Sequence, residues 1–125
     1  MGKVVIRMPY EEPEICEFDF ADESNAFDEI KEAIKIDYAE FISPFANNKD
    51  KELAKIIMII DEEGKLKENP VPNLEWNYIY DPYIVGGVAF ASTTENKYGE
   101  LVLCGLSDKQ LTAIHEYLEE NMVKE

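Results

Sequence analysis

Nine carboxylates, Glu11, Glu12, Glu14, Glu17, Asp19, Asp22, Glu23, Asp28 and Glu29, fall between positions 11 and 29 with no lysine or arginine among them. An ionised carboxylate only accepts hydrogen bonds, and its strongest partners are the donor-rich side chains of arginine and lysine. On an extended strand, Glu17 and Asp19 would stand about 7 Å apart on one face. That is comparable with the through-space separation of successive phosphates in the general geometry of a polynucleotide backbone. Such a row can occupy an Arg/Lys-lined groove built for DNA or RNA, with the counterion release that nucleic acid itself produces. The same residues also read as a solvated acidic face that keeps the protein soluble.

A second constellation lies further along. Asn69, Asn73, Trp76, Tyr78 and Tyr80 combine two amides with aromatic rings, a composition common in ligand pockets. Rings that cover a sheet edge account for the same residues. Elsewhere the chain is poor in catalytic parts. His115 is the only histidine, and its acidic helical neighbours place it at a helix surface. There is no Gly-x-Ser-x-Gly elbow, no Cys–His spacing, no P-loop and no Gly-x-Gly-x-x-Gly turn. Asp61-Glu62-Glu63-Gly64 lacks the alternating acids and distant Glu of a calcium loop and reads as a solvated hairpin turn. Cys16 and Cys104 are too few and too unpatterned for a disulfide framework or a zinc site, and small buried thiols are expected. The expectation is a non-enzymatic protein without metal or cofactor.

Charge narrows the partners. Twenty-seven acidic residues against twelve basic ones give a formal charge of −15, with a pI near 4.3. A chain so acidic repels nucleic acid, which is held by Lys and Arg on phosphates, and repels anionic membrane surfaces. Its natural partners are basic protein grooves or cations. Ile56–Ile60, the longest run of large aliphatic side chains, is far short of the roughly 20 residues that span a bilayer. The start, Met1 to Arg7, has no apolar signal core, and no Ser or Thr follows Gly2 at position six to support myristoylation. A cytosolic location is expected.

These side chains need elements to position them. With 125 residues, 46% hydrophobic and 11% aromatic, the chain is expected to fold as a single domain, 1–125. Residues 3–8 and 14–20 alternate as two strands of a hairpin, with Cys16, Phe18 and Phe20 facing inward. Ser24 is the expected N-cap of a helix that carries Phe27, Ile30 and Ile34 on one stripe. Residues 35–43 read as a strand and 47–50 as a loop. Ile56–Ile60 offers apolar side chains to both faces, which places it in the middle of a sheet, and Gly64 is expected to take the positive φ of the turn after it. Two prolines make 67–76 an irregular loop. Residues 84–91 read as one strand with a glycine bulge, 93–99 as a loop and 100–104 as a strand. Ser107 and Gln110 form a capping box before a last helix with Leu111, Ile114, Leu118 and Met122 on one stripe. The fold class is α+β: a mostly antiparallel sheet of about five to six strands with two helices packed on it.

The order of these pieces is also familiar. Ile59-Ile60-Asp61-Glu62-Glu63-Gly64-Lys65-Leu66-Lys67, the Pro/Asn loop at 69–73, Tyr80-Asp81-Pro82-Tyr83-Ile84-Val85-Gly86-Gly87 and Leu106-Ser107-Asp108 carry the likeness. Over roughly residues 14–115 the chain resembles the domain of unknown function 3846, found on phages, plasmids and conjugative elements. Members usually carry a Gly-Gly pair where this chain has Asp37-Tyr38-Ala39-Glu40, and Leu-Pro-x-Asn-Arg where it has Val71-Pro72-Asn73-Leu74. The resemblance implies a mobile-element setting and no particular activity. With the charge, it points to an anti-defence protein that blocks the basic groove of a host CRISPR effector or restriction enzyme as a nucleic-acid mimic. The alternatives are a pocket that sequesters a nucleotide signal and an accessory structural protein of the element.

Overall fold

A computed structural model describes residues 1–78 and 81–124. The fold is α+β, and every strand pairing among the described residues is antiparallel. Strand β1 (Gly2–Arg7) pairs with β2 (Glu14–Phe18) as the expected hairpin, Val4 opposite Cys16 and Lys3 opposite Glu17. Helix α1 (Glu23–Ala33) then crosses one face of the sheet to β3 (Ala39–Ile42) at the far edge. A short helix α2 (Lys51–Ala54) leads into β4 (Ile56–Asp61). Strands β5 (Pro72–Tyr78) and β6 (Asp81–Val85) form a separate two-stranded sheet. Strand β7 (Val88–Glu95), β8 (Leu101–Cys104) and helix α3 (Asp108–Asn121) complete the chain.

The main sheet runs β2-β1-β7-β4-β3, with β8 pairing β7 beyond the end of β1. Strand β7 therefore has three partners, and it, rather than β4, is the hub. Period-2 alternation divides its side chains between two cores. Ala89 lies opposite Ile6 and Ile59, and shares a core with Ile30 of α1 and Ile34 at its C-cap. Phe90 lies opposite Val5 and Met58 and meets Leu74, Ile84, Ile114 and Leu118 on the other face. The five-residue aliphatic run of β4 supplies both cores, as a strand covered on both sides must.

Several sequence expectations are corrected. Helix α1 is capped by Asp22, whose carboxylate accepts from the Asn25 amide at 3.1 Å; Ser24 is already inside the helix. A carboxylate at that place also meets the positive end of the helix dipole. Strand β3 begins only at Ala39, because Lys35 turns left-handed (φ 61) and the Ile36 amide bonds back to the Lys31 carbonyl as a helix terminus. The acids after β4 do not close a hairpin. Gly64 opens a 3-10 turn (Gly64–Leu66) without positive φ, and its lack of a side chain makes room for Val85, whose Cγ2 would lie 2.7 Å from a Cβ there. The Pro/Asn loop is shorter than expected, since Pro72 starts β5, the position a strand tolerates best. Gly86 and Gly87 separate two strands in two sheets instead of forming a bulge. Gly86 takes φ 77, and a Cβ on Gly87 would sit 2.7 Å from the Ile34 carbonyl oxygen. Thr93, Thr94 and Glu95 extend β7, because β8 pairs with them.

The two sheets are joined by Arg7 and Asn73. The Arg7 Nη1 donates to the Asn73 carbonyl at 2.5 Å and to its Oδ1 at 2.9 Å. Asn73 Nδ2 donates in turn to the Arg7 and Gly86 carbonyls, both at 2.8 Å. Arg7 Nε reaches the Glu11 carbonyl and Nη2 the Val123 carbonyl, so the first turn and the segment after α3 are held too. Both side chains are buried. Truncating Asn73 to alanine would leave Arg7 Nη1 only the backbone carbonyl at 73 and deprive the Arg7 and Gly86 carbonyls of the Nδ2 donor, so Asn73→Ala is expected to cost about 2–3 kcal/mol. A lowered urea midpoint at unchanged slope would report it.

Candidate functional site

The acidic segment divides between structural and solvent-facing roles. Glu23 is half-buried, and its Oε1 accepts from the Leu103 amide at 3.0 Å, satisfying a donor of β8. Asp22 caps α1, and Asp19 Oδ1 accepts from the Ala21 amide at 2.9 Å to set the turn before it. Asp28 pairs with Lys31 at 3.5 Å, and Glu29 accepts from the Asn25 side chain. Glu11, Glu12, Glu14 and Glu17 are exposed. Register separates two of them. Glu14 lies opposite Ile6 and Glu17 opposite Lys3, and cross-strand partners share a face, so Glu14 points to the α1 side of the sheet and Glu17 to the α3 side. Strand β2 is an edge, and its carboxylates rim that edge from both faces. Charged side chains on an edge also discourage pairing with another chain.

His115 is exposed on α3 and faces Glu119 at 3.0 Å, the surface position expected of it. The cysteines are half-buried free thiols, and burial, with Glu14 nearby, pushes Cys16 above the ordinary thiol value. Among the described residues no group of three or more His, Cys, Asp or Glu is arranged to hold a metal ion, and no helix is long and apolar enough to cross a membrane.

Among the described side chains, Asn69, Asn73 and Trp76 are not brought together. Asn73 is fully buried and all its side-chain atoms are engaged by Arg7 and Gly86, which leaves it nothing to offer a ligand. Tyr78 ends β5, and Tyr80 lies outside the described residues. Asn69 is exposed in a left-handed conformation (φ 56) beside a cavity of about 230 Å³ walled by Ile34, Pro70, Val71 and the two glycines. Trp76 lines a different cavity of about 400 Å³.

That larger cavity lies where the β5–β6 sheet overhangs the β3 edge. Glu40 and Ile42 of β3 and Ile60 of β4 share the face that forms one wall, since Glu40 pairs with Ile60 and Ile42 with Met58. Trp76, Tyr83, Ile84 and Val85 of the second sheet, with Asp61, Glu62 and Lys65 at and after the end of β4, complete the lining. Asp61 is buried, pairs with Lys67 at 2.6 Å and accepts from the Glu63 amide at 2.9 Å. Of the pocket residues expected from the sequence, Trp76 is the one that lines this cavity. The contribution of β3 was not legible, because it depends on register.

Comparison with protein-family models, curated proteins and solved structures finds no match to the chain.

The hydrogen bond from Lys67 to Asp61 raises the lysine above its ordinary value, against the opposing pull of desolvation. A raised lysine contributes stability that is complete below the ordinary lysine value and disappears as pH climbs through the folded-state value. Lys67→Met should therefore be less stable than the parent at neutral pH. The difference between them should shrink above the lysine range, as read from urea denaturation at a series of pH values.

Proposed function

We propose that the protein is a non-enzymatic inhibitor carried by a phage or other mobile element, which occupies the basic groove of a host nucleic-acid-handling defence complex. The observation that carries this reading is the β2 edge. Its exposed carboxylates face both sides of the sheet and continue into the acidic surface of α1, where Lys31 is the one described cation ion-paired with the segment. An Arg/Lys-lined groove that wraps an edge of this kind meets carboxylate in place of phosphate. Long-range attraction from a charge of −15 would speed the encounter and make it sensitive to salt. The mobile-element setting rests on the sequence motifs of residues 14–115 alone, and host cytosol is the compartment in which such a complex works.

The sequestering alternative draws on the cavity beside Trp76. Its lining of Glu40, Asp61 and Glu62 against Lys65 disfavours a nucleotide, whose phosphates need cations.

A pull-down from host lysate at low and high salt is expected to recover a nucleic-acid effector that elutes with salt and competes with DNA or RNA. With that partner in hand, Glu14→Lys combined with Glu17→Lys should weaken binding by about 100-fold or more, several kcal/mol, with the urea midpoint preserved. Asp19 is left intact because it sets the turn to Ala21. Unchanged affinity would rule this edge out as the contact.

A further inference from the structure

We infer that the cavity between the β5–β6 sheet and the β3 edge is a binding site for an organic cation, an alkylammonium or guanidinium group. This inference is independent of the proposed inhibition, because β3 and the acidic β2 lie at opposite edges of the main sheet. At about 400 Å³ the cavity falls within the size range of small-ligand sites, roughly 300–1,000 Å³. Its lining combines apolar Ile42, Ile60, Ile84 and Val85 with aromatic Trp76 and Tyr83. Aromatic faces attract cations through the negative face of the ring, and an apolar wall accommodates the alkyl stem that carries such a group. The polar lining selects the same charge. Asp61 is committed to Lys67, and the other charged residues among the described lining are Glu40 and Glu62, both exposed, and Lys65. A phosphate or carboxylate ligand would meet two carboxylates at the wall, whereas a cation is stabilised by them. Tyr83, one of the lining residues, is 43% exposed.

The same chemistry is offered by a free diamine or guanidine and by a lysine or arginine side chain of another protein. Trp76, the only tryptophan, makes the site its own reporter. Titrating the full chain with agmatine at low salt, while following tryptophan fluorescence and calorimetric heat, is expected to give saturable binding. The neutral analogue butylurea and the anionic adenosine monophosphate should give none. Glu40→Gln and Glu62→Gln, which alter exposed side chains, should each weaken agmatine binding by about fivefold, the size expected for one partly screened charge. Tyr83→Ala should weaken it further without changing the urea midpoint. Repeating the titration with the peptide acetyl-Gly-Arg-Gly-amide separates the sources: tighter binding of the peptide points to a protein side chain, tighter binding of agmatine to a free metabolite. Equal binding of butylurea, insensitivity to both Gln substitutions, or no saturable signal by fluorescence or heat would overturn the inference.

Discussion

The arrangement depends on a buried arginine that has no carboxylate partner among the described residues. Taking a guanidinium out of water costs several kcal/mol unless its donors are satisfied. In this chain the acceptors are carbonyl oxygens of Glu11, Asn73 and Val123 and the side-chain oxygen of Asn73. Burial pulls Arg7 down from the usual arginine value, and nearby Glu12 opposes that shift. Arginine stays charged over any ordinary pH range, so the carbonyls must remain in place. A single side chain thereby holds the turn after β1, the second sheet and the end of the chain on one spot. A carboxylate partner would have been easily supplied by so acidic a sequence. Carbonyls leave the acids outside, where they set the surface field.

The same division governs the main sheet. Strands β4 and β7 are apolar on both faces, so the charged residues collect on the edges, the helix surfaces and the loops. Strand β2 at one edge carries Glu14 and Glu17, and β3 at the other carries Glu40. The surface therefore offers two acidic regions of different character. One lies along the exposed β2 edge; the other lines the cavity that Trp76 shares.

The helix ends show how local chemistry and packing cooperate. Ser107 accepts from the Gln110 amide, and Gln110 answers at the Ser107 amide, as a capping box requires. Gln110 is also buried and donates to Ser92 of β7 and to the Glu52 carbonyl of α2, so the cap anchors α3 to two other elements. Lys109 adds an ion pair to Asp50, the residue that caps α2. Both partners are solvent-accessible, and a pair of that kind contributes little stability by itself. The buried amide is the stronger constraint.

Local pattern alone determined the fold class, the β1–β2 hairpin, the two-faced β4 and the stripe of α3. Each follows from side-chain periodicity or a cap, which are properties of neighbouring residues. The surface position of His115 and the acidity of segment 11–29 were legible for the same reason. Tertiary structure decided everything that depends on residues far apart in the chain. Arg7 and Asn73 meet across 66 positions, and no local signal could mark Asn73 as a buried structural amide instead of a ligand-binding one. The break at Gly86-Gly87 depends on the Ile34 carbonyl packed against it, and the extension of β7 through Glu95 depends on pairing with β8. Pairing with β1 decided which face of the sheet Glu14 and Glu17 each join, and register brought Glu40 to the cavity that Trp76 also lines. Periodicity says which residues share a face, but only the packed sheet says what that face meets.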